Sequence, residues 1–108
     1  MNDKDFALEV TRIINLISSK VEEYDIEGNI DIDINGDILN LITPMGTFVI
    51  NKQSSIWEIW LSSPVSGPYH FSYNEQKWRS KAGDELFHIL SRDLKIEIKK
   101  IDLLIEPI

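Results

Sequence analysis

The spacing of apolar residues changes period twice along this chain, and those two changes fix most of what it can fold into. From Phe6 onward, apolar residues recur at Val10, Ile13, Ile14, Ile17, Val21 and Tyr24, the 3–4 spacing of one helical face. Asn2 or Asp3 is placed to cap the start of that helix. By Gly28 the pattern has ended and strict alternation replaces it, with Ile30, Ile32 and Ile34 on one side of a strand and Asp31, Asp33 and Asn35 on the other. Asn35-Gly36 tolerates positive φ and predicts a tight hairpin into a second strand over 38–42. After "TPMG", strand-like segments follow over 47–53, 56–62, 69–73 and around Trp78, separated by turns rich in Ser, Gly, Pro and Asn. Helical spacing returns after Gly83 through Leu86, Phe87, Leu90, Leu94, Ile98 and Ile101, predicting a helix to about residue 100 with Asp84 near its start.

Helix, about six strands, helix is an α+β pattern. Its economical form is a two-layer α-β sandwich in which two helices pack on one face of a mainly antiparallel sheet. No internal repeat or linker divides the chain, so residues 1–108 read as a single domain.

Charge and cysteine usage exclude several classes of function. With 18 Asp and Glu against 11 Lys and Arg, the net charge of -7 argues against a nucleic-acid partner, whose affinity is drawn mainly from cations. The absence of cysteine removes disulfides, thiolate metal sites and thiol catalysis, and suits a reducing compartment. The acidic, amphipathic N-terminus is unlike a signal or transit peptide. No run approaches the roughly 20 apolar residues of a membrane span. These features lead us to expect a cytoplasmic protein that binds no membrane.

If helices cover one sheet face, strand parity identifies the residues on the other. In 56–62, Trp57, Ile59 and Leu61 share one side, and Ile56, Glu58, Trp60 and Ser62 share the other, which is the solvent side. The same counting sets Asn51 and Gln53 opposite Phe48 and Ile50, and His70 opposite Tyr69 and Phe71. One open face therefore carries Asn51, Gln53, Trp60 and His70. A tryptophan among amides on a rigid sheet has the composition of a contact hot spot, supplying area and a donor; the plainer explanation is that a loop partly covers it or that it sits in a sheet-surface cluster. Trp57 and Trp78 read as core or rim.

Between Val21 and Asn51 there is no Lys or Arg, yet Glu22, Glu23, Asp25, Glu27, Asp31, Asp33 and Asp37 all occur. The first helix ends and the first strand begins inside this run, which sets the carboxylates along one edge, with Asp31 and Asp33 on one strand face about 7 Å apart. Such a group attracts hard cations such as Fe²⁺, Fe³⁺, Mn²⁺ or Ca²⁺, weakly and with poor selectivity. It equally describes a solvated surface that keeps the chain soluble or meets a basic partner. "DIDING" opens like an EF-hand loop, but the twelfth position, which needs a bidentate glutamate, is Ile42.

Catalytic constellations are scarce. His70 and His88 lie on different elements, His88 on the outer side of the second helix, and neither has a nucleophile elbow or phosphate loop nearby. No catalytic residue is assigned.

The segment "GTFVINKQSSIWEIWLSSPVSGPYHFSYNEQKW" followed by "AGDELFHIL" resembles the frataxin family, and "MNDKDF" with "DIDING" is most like its bacterial branch. The resemblance implies an iron-binding protein of iron-sulfur cluster assembly that modulates cysteine desulfurase, associates with the scaffold protein and is a candidate iron donor. It implies weakly bound iron (Fe²⁺ or Fe³⁺) at Glu22, Glu23, Asp25, Glu27, Asp31 and Asp33, no organic cofactor, and partner contact through Asn51, Gln53 and Trp60. It also implies a bacterial, cytoplasmic, non-enzymatic protein, monomeric or assembling with metal; ferroxidase activity, suggested for some members, finds poor support because no buried Glu-x-x-His pair is expected. Two departures stand out. Ser18 and Ser19 replace acids common in the first helix of bacterial relatives, and His70, as in those relatives, stands where eukaryotic members tend to carry arginine. The competing reading is an acidic adaptor of the same machinery whose metal binding is incidental.

Overall fold

The computed structural model describes residues 1–96. Helix α1 (Asp3–Tyr24) is followed by six strands, β1 (Asp31–Asn35), β2 (Ile38–Thr43), β3 (Gly46–Gln53), β4 (Glu58–Ser63), β5 (Gly67–Asn74) and β6 (Lys77–Arg79), and then by α2 (Leu86–Leu94). The strands lie in sequence order in one sheet, and each pairs antiparallel with the next. The expected sandwich is what forms: two helices on a six-stranded antiparallel sheet.

The helical period of α1 buries Phe6, Val10, Ile13, Ile14, Ile17 and Val21 as one stripe. Asn2 caps it, its side chain accepting the Asp5 N–H at 2.8 Å. Against this stripe and the buried face of α2 the sheet presents Leu39, Leu41, Phe48, Ile50, Ile59, Leu61, Phe71 and Trp78, all essentially without exposure. Alternation thus puts one residue in two into a common core and leaves the other half of the sheet uncovered.

Local details depart from the expectations in three places. Asn35 stays in β1, paired with Ile38, so the hairpin turn is Gly36–Asp37, with only Gly36 of the two at positive φ (61°). Trp57 is not a strand residue: Gln53 pairs with Glu58, which leaves 54–57 as the turn and Trp57 at φ 53°. Its side chain is on the rim, 38% exposed, and its indole N–H donates to Asp3 Oδ1 at 2.7 Å, tying this turn to the start of α1. Finally, α2 ends at Leu94 rather than near residue 100, because Lys95 adopts a left-handed conformation (φ 59°, ψ 36°) and the N–H groups of Lys95 and Ile96 both close onto Ser91 O. Ile98 and Ile101 lie outside the described residues. The cap of α2 is Glu85, whose carboxylate accepts the N–H groups of Phe87 and His88, while His88 is exposed as expected.

Candidate functional site

Cross-strand register arranges the uncovered face in rows. Asn51 pairs with Trp60 and Trp60 with His70, so these three stand side by side on adjacent strands; Gln53, Glu58 and Ser72 form the next row. The structure therefore brings together the four residues assigned to this face by parity. Asn51, Gln53 and Trp60 are partly buried and His70 is exposed.

Trp60 does not project as a free ring. It stacks on His70, ring centroids 3.9 Å apart and planes 6° from parallel, and its indole N–H donates to Glu58 Oε1 at 2.8 Å. The donor that sequence reasoning reserved for a partner is already engaged, because Glu58 is two residues away on the same strand face. Strand parity carries that signal, since Glu58 and Trp60 share the solvent side of β4. The ring pair forms a ridge between two shallow grooves. One, of about 160 Å³, is bounded by Val49, Asn51, Trp60, Ser62, Pro68 and Tyr69. The other, of about 430 Å³, is more polar and runs along His70 and Ser72 between Glu58 and the loop carrying Lys81 and Asp84. Pro68 shares the parity of His70 on β5 and Tyr69 has the opposite one, whereas the position of Lys81 depends on the path of the loop after β6, which periodicity does not give.

The acidic residues fall into distinct situations. Asp25, at the end of α1, accepts the backbone N–H groups of Asn29 at 3.0 Å and Ile30 at 2.8 Å, which closes the loop into β1. Glu27 accepts from the Asn29 side chain at 3.0 Å, and Glu23 pairs with Lys20 at 3.0 Å. Asp31 and Asp33 stand on the uncovered face of β1, Asp33 accepting from Asn40 at 3.3 Å. Asp37 pairs with Lys52 at 3.1 Å, so the stretch that lacks cations in sequence gains one from β3 in space. Glu22 and Asp31 make no side-chain hydrogen bond or ion pair among the described residues. Nor do any three His, Cys, Asp or Glu side chains among the described residues converge closely enough to hold a metal ion. The donor set is all oxygen, open to solvent and partly engaged. That chemistry suits labile contact with a hard cation rather than a closed, high-affinity site.

A helix-backed sheet with an aromatic-amide face and an acidic edge defines the class of protein to which comparison then gives a name. The sequence matches the frataxin-like domain over residues 1–100, and the chain belongs to the frataxin family. It is 32% identical to the mitochondrial frataxin-like protein of Leishmania donovani in an alignment covering 92% of this chain, and spans only 56% of that relative's length. Among solved structures it resembles frataxin from Psychromonas ingrahamii, of the CyaY protein family, with a TM-score of 0.77, 30% identity, and 87% of this chain and 89% of that one covered. It also resembles trimeric frataxin of the yeast Saccharomyces cerevisiae complexed with ferrous iron, with a TM-score of 0.67, 29% identity and coverage of 88% and 84%. The family is one of iron-binding, generally non-enzymatic proteins linked to iron-sulfur cluster assembly.

Proposed function

We propose that this chain is an iron-binding regulator of iron-sulfur cluster assembly, docking on cysteine desulfurase through its uncovered sheet face and presenting iron at its acidic edge. The observation that carries the reading is the row Asn51–Trp60–His70, set on adjacent strands of a face that neither helix covers. A rigid sheet displaying an immobilised aromatic pair beside two amides gives a partner a large contact at low ordering cost. Iron is cargo here: Glu22, Glu23, Asp31 and Asp33 supply exposed oxygen donors, Glu27 a further one, and Asp25 mainly holds the loop that spaces them. We place the protein in the cytoplasm, working with the desulfurase and its scaffold without an organic cofactor. The test is desulfurase turnover with and without this protein across a series of Fe²⁺ concentrations. An effect of the protein that changes with Fe²⁺ supports the reading, and turnover indifferent to the protein at every Fe²⁺ concentration refutes it.

The second reading, an acidic adaptor with incidental metal binding, is favoured by one observation: among the described residues the carboxylates do not converge into a three-ligand cluster. It predicts that the protein alters desulfurase turnover equally at all Fe²⁺ concentrations.

A further inference from the structure

Behind the uncovered face lies a polar cluster that the docking surface itself does not use. Asp93, in the last turn of α2, is 2% exposed. Its Oδ2 accepts hydrogen bonds from Ser63 Oγ at 2.8 Å and from Ser66 Oγ, and its Oδ1 accepts from Arg92 Nε at 2.9 Å. Ser63 Oγ also accepts the backbone N–H groups of Val65 at 3.1 Å and Ser66 at 3.2 Å. Ser66 Oγ accepts from the Tyr69 hydroxyl at 2.9 Å, and that hydroxyl accepts from Arg92 Nη2 at 3.2 Å. Each hydroxyl hydrogen is donated once, and Asp93, Ser66, Tyr69 and Arg92 close a ring of hydrogen bonds.

Burying a carboxylate costs several kcal/mol unless it is fully compensated, and a satisfied network of this kind fixes one geometry. What it fixes here is the turn between β4 and β5. The same turn is gripped from its other side, where a Cβ on Gly46, at φ 123°, would come within 2.8 Å of Pro64. From this turn the chain runs directly into Pro68, Tyr69 and His70, which border both grooves beside Trp60. We infer that Asp93 is a positioning residue for the docking face, holding the Ser63–Ser66 turn, and Tyr69 on the helix side of β5, so that Pro68 and His70 stand preorganised beside Trp60. This rests on the reading of the uncovered face as the desulfurase surface. The advantage is entropic: a turn already ordered in the free protein need not be ordered on binding.

The test compares Asp93→Ala, Asp93→Asn and Ser66→Ala in the full chain, with Trp60→Ala as reference. Affinity for cysteine desulfurase is measured well below each variant's melting temperature, and amide hydrogen exchange at Val65 and Ser66 is followed in parallel. In Asp93→Ala we expect both amides to exchange roughly tenfold faster and affinity to fall roughly tenfold while the protein remains folded. Asp93→Asn, whose amide oxygen can still accept from Ser66, should recover part of that affinity, which a role confined to stability would not produce. Ser66→Ala removes one hydroxyl from the turn, and its bond to Asp93, without altering a helix residue, and carries the test if Asp93→Ala does not fold. Loss of affinity in Trp60→Ala with unchanged affinity in the folded Asp93 and Ser66 variants overturns the positioning role alone. Wild-type affinity in Trp60→Ala overturns the docking surface, and the positioning role with it.

Discussion

Trp60 lies flat against His70, with ring centroids 3.9 Å apart and planes within 6° of parallel. The two residues are direct cross-strand partners on β4 and β5, so the stack is a product of register and needs no loop to hold it. It accounts for a tryptophan that is partly buried on a face covered by neither helix.

Removing that ring opens no closed cavity, and what is lost is the stack and one exposed-face hydrogen bond. We expect Trp60→Ala to cost about 1 kcal/mol of stability. Trp78 is different: it is 1% exposed and packs on Phe6 and Tyr73 at centroid distances of 6.0 and 5.2 Å. Trp78→Ala should cost about 3–5 kcal/mol. Thermal melts of the two variants check the ranking.

The acidic edge makes a separable prediction. Changing Glu22, Glu23, Asp31 and Asp33 to their amides should remove most Fe²⁺ binding and leave the fold intact, because exposed pairs contribute only about 0–1 kcal/mol each. Asp25→Ala should instead destabilise the domain by about 1 kcal/mol or more, since its carboxylate accepts two backbone N–H groups at the end of α1. NMR titration with Fe²⁺ beside melting curves distinguishes the two kinds of acid. Unchanged affinity in the amide variant would place iron elsewhere.

Acid should act on the α2 anchor. Burial raises the Asp93 pKa, but hydrogen bonds from Ser66, Arg92 and Ser63, together with the Arg92 charge, outweigh it and hold the carboxyl below its ordinary range. A folded-state pKa below the unfolded one stabilises the protein above the unfolded value, and that contribution is lost as pH falls through the folded value. The gap in melting temperature between wild type and Asp93→Asn should therefore be full at neutral pH and shrink below about pH 4. A gap that stays constant on acidification would show that the charge of Asp93 contributes nothing.

The β5–β6 hairpin offers a stabilising change. Asn74 pairs with Lys77, and the two turn residues, Glu75 and Gln76, both sit at positive φ, 53° and 67°. That conformation disfavours residues bearing a Cβ and suits Asn-Gly. Glu75→Asn with Gln76→Gly should raise stability by about 1 kcal/mol, a melting-temperature gain of roughly 4–8 °C.

The layers and the uncovered face were legible in the sequence because they depend on period alone. Phe48, Ile50, Ile59 and Leu61 are buried where alternation puts them, and Asn51 and Trp60 fall opposite. Features set by a single backbone angle were not legible: Trp57 and Lys95 each turn left-handed, which shortens β4 and ends α2 early. Long-range pairing was hidden as well, since nothing near Asp37 announces Lys52. Asp93 did carry a signal that was missed. It follows Leu86 by seven residues and Leu90 by three, on the buried stripe of α2, and a carboxylate there requires partners from another element.

The most direct test of the docking face is an NMR titration of the isotopically labelled protein with unlabelled cysteine desulfurase. We expect the first resonances to shift or broaden to be the side-chain amides of Asn51 and Gln53, the Trp60 indole N–H and the His70 ring, with α1's exposed side unaffected. Perturbation confined to Glu22–Asp33, with the Trp60 indole and His70 ring unchanged at saturation, would contradict the assignment of the uncovered sheet face as the surface that meets the enzyme.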